Sequence, residues 1–141
     1  MAKGFMMKLE EIQPSQSYIS SAKLSEVAKK PDSTTPGLGE PVLVKKLGND
    51  VVLVDGHTRA FAAFLSGLSE VLVSWEDEEL DWDEYEICVQ WCKEEGIRTI
   101  ADLKSRVVSR EDYEKLWYRR CDELHRNLAE SRRKQARKTV G

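Results

Sequence analysis

Val51-Val52-Leu53-Val54-Asp55-Gly56-His57-Thr58-Arg59-Ala60 is the stretch from which the rest of the chain can be laid out. Four β-branched or aliphatic residues in a row predict a buried strand, and the polar residues after them predict a turn. A helix is expected just past Gly56, because Ala60, Phe61, Ala63, Phe64 and Leu65 recur at helical spacing and Gly67 closes the run. Gly56 permits a positive φ or a close backbone approach that a side chain would block. The free amides and dipole of the helix start favour an anion, Arg59 offers a forked cation, and His57 offers a further donor. Asp55, Gly56, His57, Thr58 and Arg59 therefore form the candidate binding site, with phosphate as the matching chemistry. The same residues also suit structural roles: Asp55 or Thr58 as a helix cap, and Arg59 as the partner of a carboxylate.

Working outward, Val42–Leu47 reads as a strand joined to Val51–Val54 by a hairpin turn at Gly48-Asn49-Asp50. Val71–Trp75 is a third core strand. Leu9 and Ile12, before Pro14, suggest a short first strand, and Ser20–Val27 a short helix opened by serine. Residues 31–41 hold three prolines and two glycines and are expected to be a loop. The second half reads as helix throughout. One helix is expected from about Asp83 to Glu95, capped by Gly96. Thr99 with Asp102, and Ser109 with Asp112, have the spacing of helix openings. The last helix is expected to bury Tyr113, Leu116, Trp117, Cys121, Leu124 and Leu128, with its final ten or so residues fraying. The fold class that follows is α+β, a small mixed sheet with helices over residues 1–78 and a helical extension over residues 79–141.

The chain has 141 residues, the size of one ordinary domain, and can bury roughly 68–70% of its unfolded surface without a staple. Forty per cent hydrophobic and 33% charged residues exclude collagenous and disordered classes. No apolar run approaches a membrane span, and the first residues lack the zones of a signal peptide, so a cytoplasmic protein is expected. The three cysteines are expected as thiols. The net charge of −3 hides an asymmetry: residues 76–95 hold ten acids and one base, whereas residues 96–141 hold thirteen bases and seven acids. These two segments suit each other as neighbours in the fold. The basic end, with Arg132, Arg133, Lys134, Arg137 and Lys138, also suits nucleic-acid phosphates. The acidic run suits a linker leading into a helix start. Trp75 and Trp82 are candidates for docking the helical half on the sheet. Cys88 and Cys92, and Cys121 and His125, are both i,i+4 pairs, which makes them a formal zinc set if the two faces meet; packing as small hydrophobes is the competing role.

Pro41–Val44, the hairpin, Val51–Ala60, the alanine- and aromatic-rich helix and Val71–Val73 together resemble the ParB/sulfiredoxin superfamily over about residues 8–76. Asp55-Gly56-His57-x-Arg59 is the most specific part. The resemblance implies nucleotide phosphates at this turn, with ATP, ADP or CTP as the cofactor; Asp55 then suits either support of the turn or a Mg²⁺ held on the nucleotide, since Mg²⁺ often takes one carboxylate plus phosphates. Where sulfiredoxins carry their catalytic cysteine this chain has His57, which argues against sulfinic-acid repair. The turn is most similar to the ADP-dependent free-serine kinase branch, but Gln16 stands where that branch places a basic glutamate. The implied function is a nucleotide- or phosphate-binding module, with ATP- or ADP-linked phosphotransfer or nucleotide hydrolysis on a small-molecule acceptor. The alternative is a DNA-associated, partition-like or transcription-regulatory protein using the basic tail. A homodimer through the last helix is compatible with either function.

Overall fold

The computed structural model describes residues 4–29 and 39–140. In chain order these form β1 (Phe5–Lys8), β2 (Ile12–Gln13), β3 (Ile19–Ser20), α1 (Ser21–Lys29), β4 (Val42–Leu47), β5 (Asp50–Asp55), α2 (His57–Leu65), β6 (Glu70–Trp75), α3 (Trp82–Glu94), β7 (Val107–Val108), α4 (Arg110–Tyr113) and α5 (Arg119–Val140). The fold is α+β, as the sequence implies. Most of the expected loop at 31–41 lies outside the described residues.

Five strands make a curled mixed sheet in the order β1-β6-β4-β5-β2. β4 and β5 are the expected antiparallel hairpin, turned at Gly48 with φ +62°. β6 runs parallel to β4, and β2 parallel to β5. A small second sheet pairs β3 with β7. The expected first strand through Leu9 and Ile12 is interrupted. Leu9–Glu11 is a 3₁₀ turn that carries the chain from β1 at one sheet edge to β2 at the other. Its amide at Leu9 donates to the Ser69 carbonyl at 2.9 Å, and the Leu9 side chain is buried. Burial of that side chain and capture of that amide outweigh continued strand pairing.

The main core packs Val42, Val44, Leu53, Val71 and Val73 of the sheet against Ala60, Phe61 and Ala63 of α2. Cys92, Ile97, Ile100 and Leu103 join the same core, so packing crosses residue 78. A second cluster holds Cys88, Tyr113, Trp117 and Leu124. Thr99 and Asp102 do form a capping box, but the element it opens, Ile100–Ser105, is a 3₁₀ turn. Between α4 and α5 the residues Glu114–Tyr118 form a wide π turn. That turn shifts the buried face, which leaves Leu116 exposed while Tyr113 and Trp117 are buried. α5 is helical to Val140. Asp81, the N-cap of α3, receives both Nη atoms of Arg132 at 2.9 Å. The basic helix is thereby tied to the acidic segment. Lys45 lies over the Trp82 ring at 4.9 Å, so Trp82 does dock the helical half on the sheet. Trp75 instead stacks on Phe5 and stays half exposed.

Candidate functional site

Gly56 carries the geometry of the turn. Its φ of +105° lies in the left-handed region, and a Cβ built there would sit 2.6 Å from Val42 Cγ1. Only glycine fits between the end of β5 and the start of α2. The backbone can then turn sharply, so α2 begins at His57. The first amides of a helix have no preceding carbonyl to bond, and no side chain caps these. His57, Thr58 and Arg59, the residues of this first turn, line an open cavity of about 430 Å³.

Arg59 is held by its own fold. Its Nη1 donates to the carbonyl of Glu40 at 2.8 Å and, more weakly, to that of Pro41 at 3.4 Å. Its Nη2 stands 3.9 Å from Asp55 Oδ2. The guanidinium is thus oriented at the cavity rim with only a long contact to a carboxylate. Asp55 is mostly exposed, at 70% of its side chain. Lys23, on α1, supplies a second cation to the same cavity. It is positioned by a 2.8 Å hydrogen bond to the Tyr118 hydroxyl and by the faces of Tyr113 and Tyr118. Glu26 and Gln16 complete the polar lining. Gln16 Nε2 donates to the Tyr18 carbonyl at 2.8 Å, which fixes that side chain beside the site.

His57 plays a different part from the cationic one its residue type suggests. The residue is only 5% exposed, and burial holds its pKa down at about 3, so the ring is neutral. The Ser15 amide donates to Nε2 at 3.0 Å, which leaves the single ring proton on Nδ1. Ser15 is itself fixed by a 2.6 Å bond from its hydroxyl to the Leu53 carbonyl. Gln13 ties the same segment to Ile97 through a 2.8 Å bond to its carbonyl. His57 offers a neutral donor, not a charge.

The sequence brought forward all five turn residues, and the structure places them around one cavity. It did not point to Lys23, Glu26 or Tyr113, which reach the site from α1 and α4 by tertiary packing. Nor did it point to Ser15, whose amide sets the histidine tautomer.

The zinc set is not assembled. Cys92 lies in the main core with its Sγ 3.7 Å from Ser17 Oγ, whereas Cys88 belongs to the second cluster. His125 is paired with Glu84. Burial raises the thiol pKa of Cys88 to about 12, and those of Cys92 and Cys121 to about 11, as expected for packed neutral thiols. Among the described residues no group of three or more His, Cys, Asp or Glu is arranged to hold a metal ion. Of the basic tail, Arg132 is engaged by Asp81 and Asp83, and Lys134 lies 3.5 Å from Glu130. Arg133, Arg137 and Lys138 are exposed on α5. No described helix is long and apolar enough to cross a membrane.

No protein-family model and no curated protein matches the chain. Among solved structures, protein Atu1540 from Agrobacterium tumefaciens is similar to it, with a TM-score of 0.44 and 19% identity. That match covers 70% of this chain and 50% of the Atu1540 chain.

Proposed function

We propose that the chain is a nucleotide- or phosphate-binding module of ParB/sulfiredoxin type, with the phosphates at the start of α2. The observation that carries this is that the uncapped first turn of α2, with Arg59, and Lys23 of α1 line one cavity of about 430 Å³. That volume lies within the range of small-molecule sites. Gly56 lets the backbone make this turn, since a Cβ there would collide with the buried Val42. Thr58 adds a hydroxyl at the second helical position. The residues fit a phosphate group: amides and Arg59 give directed donors, and Lys23 gives a compact charge. Asp55 is exposed at the rim and would hold Mg²⁺ carried by a nucleotide, as one carboxylate commonly does.

The nucleotide is ATP, ADP or CTP, and the chemistry to which the resemblance extends is ATP- or ADP-linked phosphoryl transfer or nucleotide hydrolysis. What this chain's residues supply is orientation and charge neutralisation, which are the main requirements of such reactions. His57 lines the same cavity as a neutral ring and not as a cation. A DNA-associated role for α5 is the less supported reading, because Arg132 is committed to Asp81 within the fold.

Calorimetric titration with ATP, ADP and CTP, with and without Mg²⁺, tests the proposal on wild type and Arg59→Ala. One nucleotide is expected to bind, and the variant to lose about tenfold or more, about 1.4 kcal/mol. Absence of binding by all three at millimolar concentration would make the turn purely architectural.

A further inference from the structure

Residues of the helical half hold Lys23 at the anion cavity. Its Nζ donates to the Tyr118 hydroxyl at 2.8 Å, and lies 5.1 Å from the centre of the Tyr113 ring and 5.3 Å from that of Tyr118. The two rings meet edge to face with their centres 5.0 Å apart. In a regular α-helix, residues five apart point about 140° away from each other. The π turn at Glu114–Tyr118 closes over five residues and so brings Tyr113 and Tyr118 together. A short stretch of irregular helix thereby builds a seat for a lysine of α1. Tyr113 lines the anion cavity beside that lysine.

The charges around the cavity give this seat a use. Lys23 and Arg59 line it as cations, Glu26 and Asp55 as carboxylates, and His57 is neutral. Without Lys23 the lining is net negative, which opposes an anion. An ammonium has three N–H groups, so Lys23 can bond a phosphate oxygen while Tyr118 keeps hold of it. Arg59 is anchored separately, by the Glu40 carbonyl. Two cations fixed independently at one cavity of about 430 Å³ suit two anionic groups on one ligand. We propose that Lys23, positioned by Tyr118, makes the site select a ligand with two linked phosphoryl groups over one with a single group. The proposal rests on the phosphate reading of the cavity, and in it Tyr118 is a positioning residue that acts only through Lys23.

The test is a calorimetric double-mutant cycle on the full chain, with Mg²⁺ present and with inorganic pyrophosphate and inorganic phosphate as probes. Wild type is expected to bind pyrophosphate about tenfold or more tighter than phosphate (about 1.4 kcal/mol). Lys23→Met is expected to erase most of that preference. Tyr118→Phe keeps the ring, and is expected to weaken pyrophosphate about threefold alone but not at all beside Lys23→Met. Both side chains are exposed, so neither variant removes core packing. An equal loss from Tyr118→Phe in both backgrounds would reduce Tyr118 to a structural role and overturn the positioning. A preference that Lys23→Met leaves intact, while Arg59→Ala weakens pyrophosphate, would overturn this inference and leave the phosphate site standing. Pyrophosphate binding that neither Lys23→Met nor Arg59→Ala weakens, or no binding by wild type at millimolar concentration, would overturn both.

Discussion

At Gly56 the backbone holds a φ of +105° while Val42 Cγ1 fills the place a Cβ would take. Both effects oppose substitution, so Gly56→Ala is expected to lose about 2 kcal/mol or more in urea unfolding. The next residue couples the site to pH. His57 titrates near 6.5 when unfolded and at about 3 when folded, so below pH 6.5 the unfolded chain gains the proton first. Its contribution is complete above pH 6.5 and is lost as pH falls toward 3, by about 2 kcal/mol at pH 5. His57→Gln offers the Ser15 amide an oxygen and cannot titrate. Urea midpoints measured from pH 7 to pH 4 are expected to fall more steeply for wild type than for this variant. Parallel profiles would show that the ring is not a buried neutral acceptor. The glycine was legible because the physical constraint is local. The histidine's neutrality was not, because it comes from burial, and the Ser15 amide that sets its tautomer lies 42 positions away in sequence.

Among the elements, those with local determinants were read correctly and those set by packing were not. The β4–β5 hairpin, α2, β6 and α3 follow from periodicity and turn residues within each segment. The 3₁₀ turn at Leu9–Glu11 follows from the Ser69 carbonyl and a core site for Leu9, neither of them nearby in sequence. The π turn at Glu114–Tyr118 likewise changes which residues of a regular pattern are buried, so Leu116 was misplaced. Asp102 illustrates a local signal that held in part. Burial alone would raise its pKa, but hydrogen bonds from the Arg98 and Thr99 amides and the Thr99 hydroxyl hold the carboxyl below its ordinary value. Asp102→Ala removes that cap and is expected to cost about 1 kcal/mol, read as a lower urea midpoint with unchanged slope. An unchanged midpoint would mean that the turn is held by Ile100 and Leu103 alone.

For the whole molecule, the two charged segments compensate each other. Glu95 receives Arg106 and, at 2.9 Å, Arg120, while Asp81 receives Arg132. These pairs are partly or largely exposed, so their number is weak support for stability, but they set where α5 lies. The asymmetry was visible in composition, although its use within the fold became clear only once Arg132 met Asp81. With Arg132 engaged, random duplex DNA is expected to bind weakly, and Arg133→Glu with Arg137→Glu is expected to change nucleotide affinity by less than about twofold, or 0.4 kcal/mol. A large loss in that variant would place the phosphates on α5 instead. The central claim, that phosphates bind at the start of α2, is tested most directly by the backbone amide spectrum during titration with ADP and Mg²⁺. The His57, Thr58 and Arg59 amides are expected to shift most, together with Lys23. Shifts confined to α5, or no shift at these three amides at saturating ADP, would contradict it.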